Sequence, residues 1–521
     1  MNNARRTTAR ITRSAALLGA GAISLAGCTV GPKYHQPAAT PQAPPMSYKE
    51  TPAQNPDNSG DWKIAQPQDA MLHGKWWEIY NDAELNSLEE QLNIDNQNIK
   101  QYFENFMEAR TLIAQARSQL FPTLGVGPSY TISRSSANLR NATSATTTSS
   151  GSGGSTTSTP NLHSTLISLP AEVTWEPDLW GKVRNTIHEA QYNAQLSAAD
   201  LENERLTEQA SLAVFFFELR GQDALQKVLD DTVAADEESV KLSRARYETG
   251  VDDQISLVEA QNALDNALAA ATNLGVARAQ YAHAIAVLIG TTPSGFAIPV
   301  KPLDAAPPAI PIGVPSQLLE RRPDIAAAER NMAAANAQIG VVTAAYYPTL
   351  TLSGTAGFES SAIKNLLTWP SRFWSVGPSV SETIFDAGLR GATVKQYVAV
   401  YNADVASYRQ TVLTAFQQVE DYLAATRILS RQIAQQQTAV NSAQQYLDLA
   451  KARYETGVDT YLNVLVAQTT LLSDQQSLAS LRTQVMTSSV QLIEALGGGW
   501  DRSQLPSPAQ VSEKVSISKT D

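Results

Sequence analysis

One string of seven residues occurs twice in this chain, and no other feature limits its possible folds so sharply. Arg246-Tyr247-Glu248-Thr249-Gly250-Val251-Asp252 returns letter for letter as Arg453-Tyr454-Glu455-Thr456-Gly457-Val458-Asp459, 207 residues later. The match continues at the same offset, where Leu257, Ala260, Gln261 and Leu264 correspond to Val464, Ala467, Gln468 and Leu471. In each copy 40 residues separate the first glycine from a second, Gly290 and Gly497. Self-similarity over this range marks two copies of one supersecondary unit.

Each copy reads as a helix, a tight turn and a returning helix. Gly250 and Gly457 suit the left-handed residue that closes a helix, with an arginine and a tyrosine in the turn before each. Along the first return, positions 257, 264, 271, 278, 285 and 260, 267, 274, 281, 288 form a seven-residue repeat, apolar except at Arg278. The second return, shifted by 207, breaks the repeat only at Asp474 and Ser488. A seam of this period packs helix against helix. A hairpin in an ordinary globular core would carry the same seam, but length argues against one. No proline interrupts residues 178–292, and the helical pattern from about Lys182 to Thr249 measures roughly 100 Å at about 1.5 Å per residue. A second proline-free span, between Pro378 and Pro506, supplies the counterpart.

Elsewhere the period falls to two. Leu124, Val126, Tyr130 and Ile132 alternate with glycine, serine and threonine, and Ile167, Leu169, Ala171, Val173 and Trp175 alternate likewise. The second half repeats this with Leu350, Leu352, Ala356 and Phe358, then with Trp374, Val376 and Val380. These are four strands with one apolar and one polar face, each about ten residues long and so of membrane-barrel length. Four strands cannot close a barrel, and open edges are not tolerated in lipid, so three copies would be needed to supply twelve. A soluble sheet with one wet face fits the alternation equally well, but it leaves the long helices unexplained.

The rest of the chain falls around these elements. Residues 1–27 read as a signal peptide: Arg5, Arg6, Arg10 and Arg13 precede an apolar stretch from Ala15 to Ala26, too short to span a membrane. Residues 28–70 form an extended tether, with eight prolines between Cys28 and Gln68. The first repeat covers 71–290, with its turn at 246–254; a proline-rich linker covers 291–315; the second repeat covers 316–498, with its turn at 453–461; 499–521 is a loose tail. Within the first repeat, the helix announced by Trp76-Trp77-Glu78-Ile79-Tyr80 is expected to reach about Leu120 and stop before Pro122. A Ser/Thr/Gly stretch at 135–160 reads as a flexible loop. In the second repeat, a helix from about Ser316 to Ala345 leads into Tyr347-Pro348-Thr349-Leu350, an echo of Phe121-Pro122-Thr123-Leu124.

Composition closes off several function classes. The formal charge is −11, and removing residues 1–27 takes away four arginines and leaves −15, which argues against nucleic acid as a partner. Cys28 is the only cysteine, so no internal disulfide or cysteine metal cluster can form. The five histidines (35, 73, 163, 188 and 283) show no metal-ligand spacing. The stretch 388–395 lacks the spacing of a phosphate loop. Acidic pairs such as Asp230-Asp231 and Glu237-Glu238 read as solvated or duct-lining helix faces. No catalytic site, metal site or cofactor is expected.

Several stretches in fixed order carry a resemblance. They are Lys75-Trp76-Trp77 through Leu85, Leu319-Glu320-Arg321-Arg322-Pro323-Asp324-Ile325, Ile384-Phe385-Asp386-Ala387-Gly388, the two Arg-Tyr-Glu-Thr-Gly turns, and Gly497-Gly498-Gly499-Trp500. Across residues 28–500 the chain resembles the TolC-like outer-membrane factors, in particular the OprM/NodT-like lipoprotein branch of resistance–nodulation–division (RND) efflux systems. Leu25-Ala26-Gly27-Cys28 likewise resembles a bacterial lipoprotein signal with Cys28 as the site of lipid attachment. Thr29, in place of an inner-membrane-retaining aspartate, favours export to the outer membrane.

The resemblance implies an internally duplicated, mainly α, α+β protomer. As a homotrimer it would form a twelve-stranded barrel in the outer membrane, standing on an α-barrel of long antiparallel helices in the periplasm. It also implies a periplasmic adaptor and an inner-membrane RND transporter as partners, with the chain itself a passive duct for drugs or other small molecules. Gly250 and Gly457 would then mark the periplasmic tip, which serves as gate and adaptor dock. Arg246, Tyr247, Asp252, Asp253, Arg453, Tyr454 and Asp459 would supply its closing contacts. In such channels a carboxylate nine residues after the turn glycine belongs to a ring; here that place holds Val466 in the second copy and Glu259 in the first. Glu259 is expected to replace the missing ring. Arginine in a final helical turn can also act only as a cap. Two other functions stay open: an exit duct for type I protein secretion, and a structural coiled-coil lipoprotein with no pore.

The lipobox generates a direct test. Acyl chains contribute about 0.8 kcal/mol per buried CH₂, but a membrane barrel would hold the protein without them. Cys28→Ala is therefore expected to lose the lipid while trimers still insert. Intact-mass measurement of the mature wild-type protein should show Cys28 acylated, and an unmodified Cys28 would refute the assignment.

Overall fold

The computed structural model describes residues 29–40, 48–50, 74–134, 163–310 and 317–513. The signal peptide with Cys28, most of the proline-rich tether, the 135–160 stretch, part of the linker and the last residues of the tail lie outside them. The described residues divide into two compact units, one of those within 1–34, 112–190 and 334–400 and the other of those within 35–111, 191–333 and 401–521.

The first unit holds an antiparallel sheet. Its strands are β1 (Thr123–Val126), β2 (Ser129–Arg134), β3 (His163–Trp175), β4 (Thr349–Ser360) and β5 (Arg372–Ser381), with β1 and β2 both paired to β3 in the order β1-β3-β4-β5. The alternating pattern predicts one strand over 124–132, and the register explains why two segments are found. Val126 faces Ala171 and Ser129 faces Ser168, so the pairing continues across the gap without a slip. The gap holds Gly127 and Pro128, opposite Pro170 in β3. Two prolines there remove ladder donors, and the two pieces act as one strand.

Register also lines the apolar residues up across all strands. Leu124 pairs with Val173, Leu169 with Phe358, Ala171 with Ala356, Ala356 with Trp374 and Leu350 with Val380. Glu172, Thr355 and Ser375 line the other face in the same way. The apolar face is open: Leu124 is 73 %, Trp374 75 % and Val376 76 % exposed. Apolar area of that extent requires a nonpolar surrounding.

Helices in this unit are fixed by close backbone approach. Val30 N donates to Trp180 O at 3.1 Å, and Asn185 Nδ2 donates to Val30 O at 3.0 Å. Gly31 takes φ +120°, and a Cβ there would lie 2.6 Å from Gly340 Cα. Two glycines meet where no side chain fits. The first described residues of the tether are thereby held against the fold.

The second unit is built on long helices. The helices, of which α2, α3, α5 and α6 also include residues of the first unit, are α1 (Ala83–Asp95), α2 (Gln97–Ser118), α3 (Lys182–Glu248), α4 (Gln254–Leu288), α5 (Pro323–Thr343), α6 (Leu389–Glu455) and α7 (Tyr461–Ala495). Two expectations need correction here. The single helix expected from Trp76 to about Leu120 is a 3₁₀ turn, Trp76–Tyr80, followed by α1 and α2. Asn96 causes the second break: its Oδ1 accepts from Ile99 N at 2.9 Å, capping α2, and its Nδ2 donates to Leu288 O at 2.9 Å. The helix expected from about Ser316 to Ala345 begins as one turn, Leu318–Arg321, because Pro323 forces Arg322 to an extended ψ of 124°.

The main core joins α1, α3 and both return helices. Trp76, Trp77, Leu85, Leu92, Leu212, Phe216, Leu219, Ile285 and Ile493 are buried together, each side chain of this size contributing about 1.5–3 kcal/mol. The seven-residue seams run on through the helices, and at two of their three polar positions a partner answers. Arg278 of α4 meets Asp223 of α3 at 2.6 Å, and Asp474 of α7 accepts from Gln436 of α6 at 3.0 Å.

Asp223 is the centre of a buried charge network. It also accepts from the Lys301 backbone N–H at 2.9 Å and lies 3.5 Å from Arg220, which bonds Pro299 O at 2.6 Å and pairs with Glu84. One carboxylate thus ties α3, α4 and the linker. Removing it leaves Arg278 without a carboxylate partner and the buried Arg220 with Glu84 alone, and breaking a buried pair costs about 3–5 kcal/mol. Asp223→Ala is expected to speed amide exchange at Lys301 and Leu303 by at least tenfold and to lower the thermal midpoint; unchanged exchange would refute the tie.

Candidate functional site

The two repeated turns have nearly the same backbone. Gly250 takes φ +74° and Gly457 +73°, a region open to glycine without strain. In each turn the glycine N–H bonds the tyrosine carbonyl, and the next valine N–H bonds the arginine carbonyl. The distances are 3.0 and 2.9 Å at Gly250 and Val251, and 2.9 and 3.0 Å at Gly457 and Val458. This pairing satisfies the last carbonyls of α3 and α6. Asp253 caps α4, accepting from Ser256 N at 3.1 Å. In the second copy Thr460 holds the equivalent position and makes no side-chain cap.

Side chains then bind the turns to one another. Tyr454 Oη donates to Asp252 Oδ2 at 2.7 Å and lies 3.4 Å from Ser243 Oγ. Arg246 stands over the Tyr454 ring at 4.7 Å, approaches Asp252 Oδ2 at 3.6 Å and donates to Glu455 O at 3.2 Å. It therefore caps the last turn of the other copy's helix instead of its own. Tyr454 also meets Tyr461 edge to face at 5.5 Å. A second apolar core lies behind, with Val240, Ala260, Ala443, Leu447, Val464 and Ala467.

The remaining residues singled out from the sequence lie apart. Arg453 pairs at 3.2 Å with Asp459 of its own copy, which also accepts from Thr460 N at 2.9 Å. Tyr247 is exposed. Glu259 is half-buried close to Tyr461, and Val466 is exposed. Identical sevenfold strings therefore do different work. Ser239, Ser243, Tyr461 and Gln468 complete the contact and were not singled out from the sequence. A signal existed: Tyr461 replaces Gln254 in an otherwise closely matched repeat.

Electrostatics reinforce the tie. Partial burial acts to raise the Asp252 carboxyl pKa, but the bonds from Tyr454, the Asp253 N–H and Ser256 prevail and hold it below the ordinary carboxylate value. Backbone bonding from Thr460, then Asn463 and Arg453, lowers that of Asp459. Burial pushes the Tyr461 hydroxyl up to about 12, with the charges of Asp236 and Glu259 adding to it.

Asp236 behaves in the opposite sense. Burial pushes its carboxyl up to about 6, against the opposing charge of Lys451. A folded pKa above the unfolded value gives stability that is complete below the unfolded pKa and lost as pH rises through the folded one. The packing around Asp236 should therefore loosen between about pH 4 and 6 as it ionises. Asp236→Asn, which keeps a neutral group there, should slow amide exchange around residue 236 at pH 8 and leave it unchanged at pH 4. Equal exchange at pH 8 would count against the assignment.

Known proteins share this architecture. The family described as outer membrane efflux protein matches residues 88–291 and 314–498. The probable efflux pump outer membrane protein TtgC of Pseudomonas putida KT2440 is 31% identical over 493 residues, covering 94% of this chain and 96% of its own length. The antibiotic efflux pump outer membrane protein ArpC of Pseudomonas putida is 31% identical over 492 residues, covering 94% and 96%. The solved structure of the outer-membrane channel OprN superposes with a TM-score of 0.77 at 27% identity, covering 91% of this chain and all of that one. The chain belongs to the outer membrane efflux protein family and is the outer-membrane channel component of an efflux pump, reaching into the periplasm.

Proposed function

We propose that three copies of the chain assemble into a passive duct that carries drugs or other small molecules outward. The observation that carries this reading is the sheet, with one continuous apolar face and with β1/β2 and β5 at its edges. In lipid those edges must pair with other chains, and three sheets of four effective strands make a twelve-stranded barrel. The periplasmic helices continue the duct as an α-barrel. Energy comes from an inner-membrane RND transporter, reached through a periplasmic adaptor. Cys28 carries the lipid that adds a second hold on the outer membrane.

The repeated turns are the periplasmic mouth, acting as gate and adaptor dock. Tyr454, Arg246 and Asp252 form a closing tie, Arg453 and Asp459 form another, and Tyr247 and Asp253 border them. Gly250 and Gly457 permit the tight reversal that sets these groups side by side. Glu259 supplies the carboxylate ring that Val466 cannot. Three carboxylates around one axis repel and favour cations, so charge there sets conductance.

Single-channel recording in planar bilayers tests the reading. Tyr454→Phe and Asp459→Asn are expected to raise open probability severalfold, and Glu259→Gln to reduce cation preference. If all three match the unmodified channel and adaptor binding is unchanged, the turns are caps only. Amine-reactive crosslinking in detergent that yields no trimer would remove the duct itself.

A further inference from the structure

The two ends of the sheet hold charge differently. Where strands pass into helices, three basic side chains each have a carboxylate beside them. Arg184 pairs with Asp178 at 3.0 Å, Lys182 with Glu176 at 3.8 Å and Arg390 with Asp386 at 2.6 Å. The far end carries Arg134, Lys364 and Arg372, all exposed, and none of them pairs with a carboxylate among the described residues.

Alternation puts two of these cations on the apolar face. Arg134 continues the row of Tyr130 and Ile132, and Arg372 continues the row of Val376 and Trp374. Register agrees, since Arg372 stands opposite Phe358 and Arg134 opposite His163. Glu359, the acid at this end of β4, lies on the other face, opposite Ser168. Among the five strands no acid shares the face of Arg134 and Arg372.

The connection from β4 to β5, residues 361–371, holds its shape with apolar groups outward. The Asn365 carbonyl accepts from Thr368 Oγ1 and Ser371 Oγ, both at 2.7 Å, and from Thr368 N at 3.2 Å. Ile363, Leu367 and Trp369 are nonetheless 77, 72 and 76 % exposed. The Arg372 guanidinium lies over the Trp369 ring, 3.6 Å from its centroid, which fixes the charge at the edge of the apolar band. An indole and a guanidinium at that level suit a lipid headgroup boundary.

We infer that this rim binds a phosphorylated glycolipid of the outer leaflet, resting on the barrel reading above, which turns the apolar face to lipid. Arg372 and Arg134 bond the phosphates, and Trp369, Ile363 and Leu367 lie against the apolar part of the lipid. Closing the barrel sets β5 of one copy beside β2 of the next, so Arg372 and the next copy's Arg134 flank one joint. Like charges on neighbouring strands repel unless an anion lies between them. A headgroup with two phosphates supplies that anion, and its bonds to guanidinium are charge-assisted. Inorganic phosphate meets the same cations but gains nothing from the apolar groups.

Binding to the full-length protein in detergent tests this, with bound lipid counted by native mass spectrometry. The probe is an acylated glucosamine disaccharide bearing two phosphates; the comparison lipids are its dephosphorylated form and phosphatidylglycerol. The probe is expected to bind at least tenfold more tightly than either, and 10-fold excess inorganic phosphate is expected not to displace it. Arg134→Gln with Arg372→Gln should lose at least tenfold in affinity, Trp369→Ala severalfold, and Arg134→Lys with Arg372→Lys should recover most of the loss. Equal binding of phosphatidylglycerol, or displacement by inorganic phosphate, would overturn glycolipid recognition. Amine-reactive crosslinking reports assembly of each variant. If the glutamine variant forms trimers and binds the probe like the unmodified protein, the site is overturned and the duct stands. If the unmodified protein forms no trimer, both fall.

Discussion

A helix of 67 residues with apolar groups on only a narrow stripe cannot hold itself in water, and this constraint governs the molecule. Both α3 and α6 meet it with a return helix that presents a seam of matching period. At two polar positions of the seams the long helix offers a polar group in reply, Asp223 to Arg278 and Gln436 to Asp474. The turn glycines fix where each return begins. Because both copies use the same turn, two tyrosine–arginine ends can meet across the duplication.

The tie at the turns depends on that coincidence. Tyr454 reaches Asp252 only because one copy's last helical turn lies beside the other's loop, and Arg246 spans both by capping a carbonyl that is not its own. The identical string gives one buried tyrosine and one exposed tyrosine. Neighbours decide between them: Ser243 leaves room beside the Tyr454 hydroxyl, and Tyr461 packs on the Tyr454 ring where the other copy has glutamine.

The sheet is organised by a different rule. Its strands bury little on their own, and their apolar side chains align across the sheet because the register adds no slip even at Gly127-Pro128. That interruption, the break at Asn96 and the early stop before Pro323 share a cause. Each is a local backbone or capping preference that outweighs a continuing periodic pattern.

Duplication, the extent of the two long helices, strand alternation and the family itself were legible in the residues, because period and punctuation are written directly in sequence order. The heptad seam named the packing face of α4 and α7, and the turn glycines named the reversal. Other features depended on residues far apart in the chain. Asn96 looks like any helical asparagine until Leu288 and Glu208 are brought to it. Asp236 is one acid among many until burial beside Tyr461 raises its pKa. Most of all, nothing in two identical strings of seven says that Tyr454 is enclosed and Tyr247 open. The turns and the two 67-residue helices follow from local and periodic properties of the chain; which copy of each side chain is covered follows from what packs against it in the folded molecule.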